Sequence, residues 1–502
     1  MSEAAALIRA APALPCAPWP RHLLTAEAWR ALAAALPGQP ALALLALWAD
    51  SGHVHALFRD EDTGAILPAS VAVAAGAYPA LSPARPAAAW FERMILDLWG
   101  HAAEGGTDAR PWLDHGRWPV QAPLSPRPVP VGGPPEPPGF LPADGPGLHV
   151  LPLGPVRGGI AEPAQLRLAV QGELVVRLET RLGWLHKGTL ALLRGKSPRA
   201  AARFAARLAG DSTVAHAIAF ARAAEAASGV AAPPRAAMLR AVMAEIERLA
   251  GHLADLASLG QAAGFAPLPA LCLPLREALL EAAAAAFGHR LMMDCVVPGG
   301  VAAAIAPGGE AAIAAALTRL EAALPALARL HDGSGSLLRR LVGVGVVTPA
   351  LTRALAAGGV VGRATGRAVD LRRHPGYPPY DGLDVPLPSR QAGDADARVR
   401  QRLDELPHAI ALLRELLAGP AEGAIGVALP PASGEGIGFA EGYRGDIWHW
   451  LRLDGGLIAA CFPRDPAWLH WPLAEAAMAG GAVEDLGLVL ASFHDSCAGM
   501  DL

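Results

Sequence analysis

The chain has 502 residues, enough for two or three domains with a large core, and 53% of them are hydrophobic. A formal net charge of −4 and an isoelectric point near 6.5 argue against nucleic-acid binding, which usually needs a strongly basic face. The five cysteines are widely spaced without a Cys-x-x-Cys motif, so we expect neither a disulfide framework nor a zinc or iron–sulfur site held by this chain alone.

Membrane insertion and secretion are both disfavoured by the sequence. The acidic N-terminal stretch is interrupted by Arg9 and is unlike a secretory signal. Two charge-free windows, 32–49 and 256–275, are long enough to consider as spans, but each contains prolines. We therefore expect a soluble protein, apolar enough to associate with partners.

Residues 1–120 are predicted to form a small α/β domain. Thr25 is placed to cap a short amphipathic helix over Ala26–Leu36. Strands are expected over 41–48, 53–58 and within 65–75, followed by a helix over 87–100. Residues 121–148 are rich in proline and glycine, which predicts a linker.

Residues 149–502 are predicted to form a mainly helical bundle domain with β-hairpins. A hairpin is expected over 166–178, a long helix over Pro234–Gly264, a helix beginning at Arg276, and an alanine-rich helical region within 302–334. The fold class of the whole chain is therefore predicted to be α+β.

The stretch from Arg181 to Glu225 is the most informative part of the chain. It predicts two helices joined by a tight turn at Gly210-Asp211-Ser212, where Asp211 or Ser212 can cap the second helix. The segment RLGWLHKG and the segment RLAGDSTVAHAIAFARAAE resemble the first conserved block of [NiFe]-hydrogenase large subunits. They equally resemble the D-type subunit of respiratory NADH:quinone oxidoreductase, and the relatives implied are of the membrane-bound hydrogenase-4 and formate hydrogenlyase type.

The hydrogenase resemblance implies four metal-binding thiolates, which here fall on Ala209, Ser212, Cys497 and Met500. Gly210 lies between the first two, so these five positions are expected to line the former metal cavity. A nickel–iron pair needs four soft thiolates, and only Cys497 supplies one. We therefore expect no metal, and an active hydrogenase is disfavoured.

The resemblance to the D-type subunit implies a quinone cavity, whose hairpin histidine is replaced here by Arg157. Arginine can donate to a carbonyl oxygen but cannot titrate near neutrality. Further candidates for the cavity are Asp211, His216 one helical turn later, and His186. For His186, a capping or core role is the alternative to a catalytic one.

Several charged residues fall in motifs that resemble those of the same family. Glu245-x-x-Arg248-x-x-x-His252 puts polar groups on neighbouring turns of one helix, as either a salt-bridged bundle face or a proton path. Asp370 and Arg398 are expected to form an internal pair, because so apolar a core holds few other charges. Glu441 and Arg444 resemble part of a Glu-x-x-Arg-Gly strand of the hydrogenases, and this resemblance implies a second hairpin near 441–450.

The N-terminal region resembles the C-type subunit of the same respiratory complex. The matching residues are Asp97-Leu98-Trp99-Gly100, Asp108, Arg110 and Trp118-Pro119, whereas Gly106-Thr107 replaces the His-Pro of the family pattern. The order of these motifs implies that a C-type and a D-type subunit are fused in one chain.

Two functions follow from the resemblance. The first is a cytoplasmic subunit, peripheral to the inner membrane, of a complex-I-like or energy-converting-hydrogenase-like oxidoreductase. It implies a hetero-oligomer with an iron–sulfur small subunit and with antiporter-like and quinone-site membrane subunits; clusters lie on the partner, quinone is possible, and this chain alone binds no cofactor. The second is a non-enzymatic assembly or scaffold paralogue of the same complex.

Overall fold

A computed structural model describes residues 3–131, 139–157, 162–419, 422–494 and 496–502 of the protein. Part of the predicted linker (132–138) and Asp495 of the C-terminal motif lie outside these ranges. The described residues combine small sheets with a long helical region, which confirms the predicted α+β class.

The N-terminal region is a five-stranded sheet with three helices. The strands are β1 (Ala13–Leu14), β2 (Arg21–Leu24), β3 (Leu42–Ala49), β4 (His53–Asp60) and β5 (Ile66–Ala72), and the helices are α1 (Glu3–Ala10), α2 (Ala26–Ala35) and α3 (Ala88–Trp99). Their order in the sheet is β1-β2-β5-β4-β3, and β2 and β5 are parallel. Thr25 caps α2 as predicted, since its side chain accepts from the amide of Ala28 at 3.1 Å.

Short strand pairs lead to a three-stranded antiparallel sheet. The pairs are β6 (Ala77–Pro79) with β7 (Ala102–Glu104) and β8 (Val120–Gln121) with β9 (Val129–Pro130). The sheet consists of β10 (Leu148–Leu153), β11 (Gln165–Gln171) and β12 (Leu174–Arg181). The predicted hairpin is β11–β12, and the loop between β10 and β11 carries Arg157.

The remaining chain is mainly helical, with one hairpin sheet near its end. The helices are α4 (Thr189–Leu193), α5 (Pro198–Ala205), α6 (Thr213–Ser228), α7 (Pro234–Ala262), α8 (Pro267–Phe287), α9 (Gly309–Asp332), α10 (Gly335–Leu341), α11 (Pro349–Ala354), α12 (Gly359–Arg363), α13 (Ala395–Leu417), α14 (Ala467–Met478), α15 (Leu486–Phe493) and α16 (Ala498–Asp501). The strands β13 (Val296–Val297) and β14 (Gly300–Val301) pair with each other. The strands β15 (Gly434–Glu441), β16 (Asp446–Asp454) and β17 (Leu457–Arg464) form an antiparallel sheet, the C-terminal sheet.

Helix α8 begins at Pro267, well before the predicted start at Arg276. The prolines at 267 and 269 are turn formers in many sequences, but here both lie in the first turn of the helix, where the backbone amides have no partner within the helix. Proline is therefore compatible with this end of the helix, and the prediction of a later start was wrong.

Glycines let helix α6 lie directly on strand β15. A Cβ atom on Gly436 would lie 2.2 Å from the carbonyl oxygen of Ala223, and one on Gly438 would lie 2.1 Å from that of Ala219. The helix contributes alanines to this contact, so the backbone of α6 packs directly on the backbone of β15. This close packing fixes the start of α6, and with it the turn at Asp211, against the C-terminal sheet.

The N-terminal sheet packs against the same C-terminal sheet, at strands β15 and β17. The guanidinium of Arg464 donates to the carbonyl of Leu45 at 2.8 Å, and Arg21 forms an ion pair with Glu435 at 2.8 Å. The Trp48 ring stacks on Phe462 with centroids 5.7 Å apart. The two ends of the chain thus share a buried contact.

Within the described part of the chain, α9 is the one helix long and apolar enough to cross a membrane by length and composition. Only 28% of its apolar window is buried inside the protein. A single helix of this kind is weak evidence for insertion, since a core helix of a soluble protein passes the same test.

Candidate functional site

A cavity of about 480 Å³ lies where the Asp211 turn meets the last part of the chain. We call residues 486–494 and 496–502 the C-terminal segment. It is lined by Arg157, Glu162, Asp211, Ser258, Gln261, Ala262, Arg444, Trp471, Ala474, Gly487, Leu490, Ala491, Phe493, His494, Ser496 and Cys497. Its walls are therefore partly apolar, with a cluster of charged groups. The volume is in the range of small-molecule sites.

Asp211 and Arg444 form the charged wall of this cavity. The carboxylate of Asp211 accepts from Arg444 Nη1 at 2.8 Å and from the Tyr443 hydroxyl at 3.2 Å, and Arg444 Nη2 also pairs with it. The surrounding protein partly desolvates Asp211, whose side chain is 42% exposed, but the adjacent Arg444 guanidinium holds the pKa of Asp211 below the ordinary value. Asp211 is thus an ionised acceptor at neutral pH.

Glu162 fixes the C-terminal segment to the loop between β10 and β11. Its carboxylate accepts from the Ser496 hydroxyl at 3.0 Å and from the Ala498 amide at 3.2 Å, and also from the amide of Cys497. Nothing in the local sequence singles out Glu162, because its partners lie more than 330 residues away.

Arg157, the predicted replacement for the quinone-site histidine, lines the cavity. Its Nη2 donates to the carbonyl of Glu162 at 3.4 Å, while its Nε is buried without an acceptor among the described residues. Burial lowers the pKa of this guanidinium. An arginine in this setting can donate to an additional acceptor inside the cavity.

The four positions that the hydrogenase resemblance assigns to metal-binding thiolates are buried in this region, but their side chains do not fit a nickel–iron pair. Ala209, Ser212, Cys497 and Met500 are each at most 2% exposed, and Cys497 lines the cavity. They supply one methyl group, one hydroxyl, one thiol and one thioether, not four thiolates. Within the described residues, no group of three or more His, Cys, Asp or Glu side chains could hold a metal ion.

Gly210 lies at the exposed turn between Ala209 and Asp211. No atom outside its neighbours in the chain lies within 4 Å of a Cβ built on it. It therefore leaves open space beside the turn and is not one of the residues that line the cavity.

His186 and His216 are not brought to the cavity wall. His186 Nδ1 bonds the Asp501 carbonyl at 2.6 Å, and burial lowers the pKa of the ring. The carboxylate of Asp501 in turn accepts from the amides of Gly183 and Leu185. His186 therefore anchors the C-terminal segment. This is a structural role, the alternative to a catalytic role for this residue.

His216 is the centre of a buried chain of three side chains. Its Nε2 bonds Asp465 at 2.9 Å, and its Nδ1 bonds His449 Nε2 at 3.1 Å. Burial, with a smaller effect of His216, lowers the pKa of His449 well below the ordinary value. The chain is packed in the core behind the C-terminal segment.

The start of α6 is capped by another helix, not by Asp211 or Ser212 as predicted. Ser212 makes no side-chain capping bond. Instead, the Glu247 carboxyl group on α7 accepts from the amides of Val214 at 2.6 Å and Ala215 at 3.0 Å. The prediction was wrong because a tertiary contact supplies the acceptor that local sequence usually provides.

Glu247 predicts a measurable dependence of stability on pH. Burial raises its pKa from 4.5 to about 8, so the folded protein holds this proton over a range where the unfolded chain has lost it. Its contribution to stability is full below pH 4.5 and is lost as pH rises through about 8. We expect Glu247→Gln to make the fall in unfolding free energy between pH 6 and 8 shallower by up to ~1.4 kcal/mol per pH unit.

Urea unfolding at pH 6, 7 and 8 measures this slope. The matched control is Glu310→Gln, because Glu310 is exposed in the first turn of α9. Equal slopes for the wild type and Glu247→Gln would contradict the assignment.

The predicted ion-pair residues belong to a buried network beside α7. Glu245 pairs with Arg248 at 3.1 Å and with Arg372 at 3.0 Å, and it accepts from the Tyr380 hydroxyl at 2.7 Å. Arg248 also donates to the backbone carbonyl of Glu441 at 2.7 Å. Of the two alternatives, the contacts show a salt-bridged bundle face.

The expected pair of Asp370 with Arg398 is not formed. Asp370 pairs with Arg372 at 2.8 Å and lies 3.6 Å from Arg363. The guanidinium of Arg398 instead donates to the Ser492 hydroxyl and to two backbone carbonyls, and it stacks over Phe493. The prediction was wrong because Arg372, only two residues along the chain, already forms the close ion pair with Asp370.

Arg363 is the hub of the same network. Its side chain, 1% exposed, pairs with Glu405 at 2.8 Å and Glu441 at 3.2 Å as well as with Asp370. One cation is thus shared by three carboxyl groups. Burial, followed by repulsion from Asp370, raises the pKa of Glu441 to about 8, so this group keeps its proton near neutrality.

A second set of polar groups reaches the cavity, and two of its members, Asp255 and His494, were not selected from the sequence. Arg444 Nε donates to the carbonyl of His494, and His494 Nδ1 bonds Asp255. Asp255 also pairs with Arg402 at 2.8 Å. Asp255 and Arg402 do face inward on helical spacing, but only the packing of α7 on α13 shows that they meet.

Comparison with known proteins identifies the family. Residues 263–432 match the model for the respiratory-chain NADH dehydrogenase 49 kDa subunit, and residues 187–259 match that for nickel-dependent hydrogenase. The chain is 30% identical to the D-type subunit of NADH-quinone oxidoreductase from Dehalococcoides mccartyi, over 61% of this chain and 85% of that protein.

Hydrogenase relatives are similar over a longer part of the chain. The carbon monoxide-induced hydrogenase of Rhodospirillum rubrum is 28% identical over 70% of this chain and 98% of that protein. Formate hydrogenlyase subunit 5 of Escherichia coli is 27% identical over 84% of this chain and 76% of that protein. These matches confirm the resemblance seen at residues 181–225, and the chain belongs to the family formed by the 49 kDa (D-type) subunit of NADH-quinone oxidoreductase and the nickel-dependent hydrogenases.

Proposed function

We propose that this chain is a peripheral subunit of a membrane-bound, complex-I-like or energy-converting-hydrogenase-like oxidoreductase, facing the cytoplasm. It contributes a cavity for a quinone-type ring and carries no nickel–iron centre. The observation that supports this most directly is the cavity itself, which combines apolar walls with the Asp211–Arg444 pair where the hydrogenase metal would lie. The isolated chain has no electron donor and is not catalytic by itself.

The polar groups of the cavity suit a carbonyl-bearing ring. Arg157 and Arg444 are donors that keep their charge, and Trp471 and Phe493 offer ring faces. Because Asp211 is ionised and bonded to Arg444, its role is to orient that guanidinium, and proton supply belongs to another group.

A basic surface beside the cavity suits docking of an iron–sulfur subunit. We define it by Lys196, Arg199 and Arg203, which lie around the partly exposed Phe204, whereas the neighbouring Arg207 is paired with Asp294 at 2.7 Å. Residues 180–210 contain no Asp or Glu, although the whole chain has net charge −4. Since this segment leads directly into the Asp211 turn, an acidic electron-transfer partner bound here would lie close to the cavity.

The N-terminal region is proposed to take the role of the C-type subunit. Its Asp97 carboxyl group accepts from the amides of Trp112 at 2.7 Å and Leu113 at 2.6 Å, which fixes the loop carrying Arg110. Arg110 pairs with Asp108 at 2.6 Å and with Glu179 of β12 at 2.6 Å. These motif residues thus join the N-terminal region to the sheet next to the Asp211 turn.

Purification of the tagged full chain from membranes of its host tests this proposal. We expect an iron–sulfur protein and membrane subunits to accompany it, quinone-linked electron flow, and no stoichiometric nickel. Arg199→Glu/Arg203→Glu should reduce recovery of the iron–sulfur subunit about 10-fold or more, because two charges at the interface change sign.

The matched control is Arg339→Glu/Arg353→Glu, which reverses two exposed arginines on α10 and α11. It should leave recovery unchanged. Stoichiometric nickel in the wild-type chain would refute the proposed cavity. Recovery of the partners without any redox turnover would instead favour the non-enzymatic scaffold.

A further inference from the structure

Arg222 on α6 lies in a second, separate cavity and forms no ion pair with any residue that the structure describes. Its guanidinium lies between two rings, 4.6 Å from the centroid of Tyr377 and 4.5 Å from that of Phe439. Its Nε is buried without a hydrogen-bond acceptor, and no carboxylate in the described ranges lies within 4 Å. Stacking holds the guanidinium in place, but it does not replace an anionic partner.

The neighbouring polar groups are already committed to other partners. Glu225, one helical turn away, pairs with Arg240 at 2.5 Å and accepts from the Gly299 amide at 2.8 Å. The Tyr380 hydroxyl donates to Glu245 at 2.7 Å. Burial lowers the pKa of Arg222 to about 10, which leaves it charged at neutral pH. Among the described residues, Arg222 is therefore a partly desolvated charge that no carboxylate contacts directly.

The cavity in front of Arg222 has a volume of about 330 Å³. Its other walls are mainly apolar, with Ile218, Val230 and Ile437 among them, and the exposed Pro18 and Pro378 lie at its rim. The paired Glu225 and Arg240 also line it. It shares no lining residue with the cavity at Asp211. A ligand here needs an oxyanion for the guanidinium and a compact apolar body for the remaining walls.

We propose that the Arg222 cavity binds a small organic oxyanion, with two of its oxygens accepting hydrogen bonds from the guanidinium. Carboxylates and phosphate esters share this chemistry, and both match the planar fork of arginine. The stacked rings fix the guanidinium before the ligand arrives, which reduces the entropy lost on binding. The site does not depend on whether the first cavity holds a quinone.

Calorimetric titration of the purified full chain tests the site, with butyrate and phenyl phosphate as separate probes at constant ionic strength. We expect saturable binding of at least one probe, at one site per chain. Arg222→Gln should weaken it about 10-fold or more, as expected for loss of a charge-assisted bond. Arg222→Lys should weaken it less, because it keeps the charge but loses the fork.

The matched control is Arg373→Gln, an exposed arginine near Tyr377 that does not line the cavity. It should leave binding unchanged within about 2-fold, which is a small free-energy change. If Arg222→Gln does not fold, anomalous scattering from selenate soaked into wild-type crystals locates the anion directly. Absence of saturable binding by both probes, equal binding by Arg222→Gln, or a selenate peak only elsewhere would overturn the proposal.

Discussion

Replacing Arg363 with methionine is expected to lower the free energy of unfolding by about 3–5 kcal/mol, the largest stability effect that we predict for one substitution. Arg363 is 1% exposed and shared by Asp370, Glu405 and Glu441. Methionine has a similar length but no charge, so ionised Asp370 and Glu405 would lose this partner. Both have pKa values held below the ordinary range by nearby cations, despite burial.

Urea unfolding followed by tryptophan fluorescence measures this cost. The double variant Arg363→Met/Glu405→Gln should recover part of the loss, because it removes one of the unpaired carboxylates. Arg390→Met is the matched control, since Arg390 pairs with Asp404 at 2.8 Å but is 39% exposed. A change below ~1 kcal/mol is expected for such a surface pair. Equal effects of Arg363→Met and Arg390→Met would show that Arg363 is not the hub of the network.

Arg444→Met is expected to produce the largest functional effect, a fall in quinone-linked electron flow of roughly 10- to 100-fold in the purified complex. Arg444 holds Asp211 at the cavity wall and donates to the carbonyl of His494, so its loss removes charge-assisted bonds from both sides of the site. One such bond contributes about 1.5–3 kcal/mol, which corresponds to this range of rates. This prediction depends on the proposed quinone-type ligand.

The stability cost of Arg444→Met should be smaller than that of Arg363→Met. Asp211 is 42% exposed towards the cavity, so water can solvate its carboxylate when Arg444 is absent. Arg444→Lys should retain part of the activity, because it keeps the charge. Arg353→Met, on the exposed helix α11, should retain all of it. If activity falls only in proportion to the amount of assembled complex, Arg444 has a structural role and the functional prediction fails.

Local sequence predicted many elements of the fold correctly. Thr25 and the apolar spacing after it indicated α2, and the alternation on either side of the Gln171-Gly172 turn indicated the hairpin of β11 and β12. These features depend on residues close in sequence, where capping bonds and side-chain periodicity are set locally. The late start predicted for α8 failed because Pro267 and Pro269 lie in its first turn, where proline is tolerated, and because the helix also continues through Pro274.

The electrostatics of the core could not be predicted in the same way. Glu247 replaces Ser212 as the cap of α6, and Asp370 pairs with Arg372 in place of Arg398. Glu162 reaches the C-terminal segment across more than 330 residues. In each case several side chains had the chemistry to form the contact, and the distances between side chains in the folded protein determined which one does.

By itself, the sequence determined the local helices and hairpins, the family resemblance at 181–225, and the side chains at the four positions that this resemblance assigns to metal-binding thiolates. These follow from residue identity and short-range spacing. Only the tertiary structure decided which buried charges meet and which, like Arg222, lack a counter-ion among the described residues. The physical reason is that charge pairing in a desolvated core depends on ångström-scale separations between elements that are far apart in the chain.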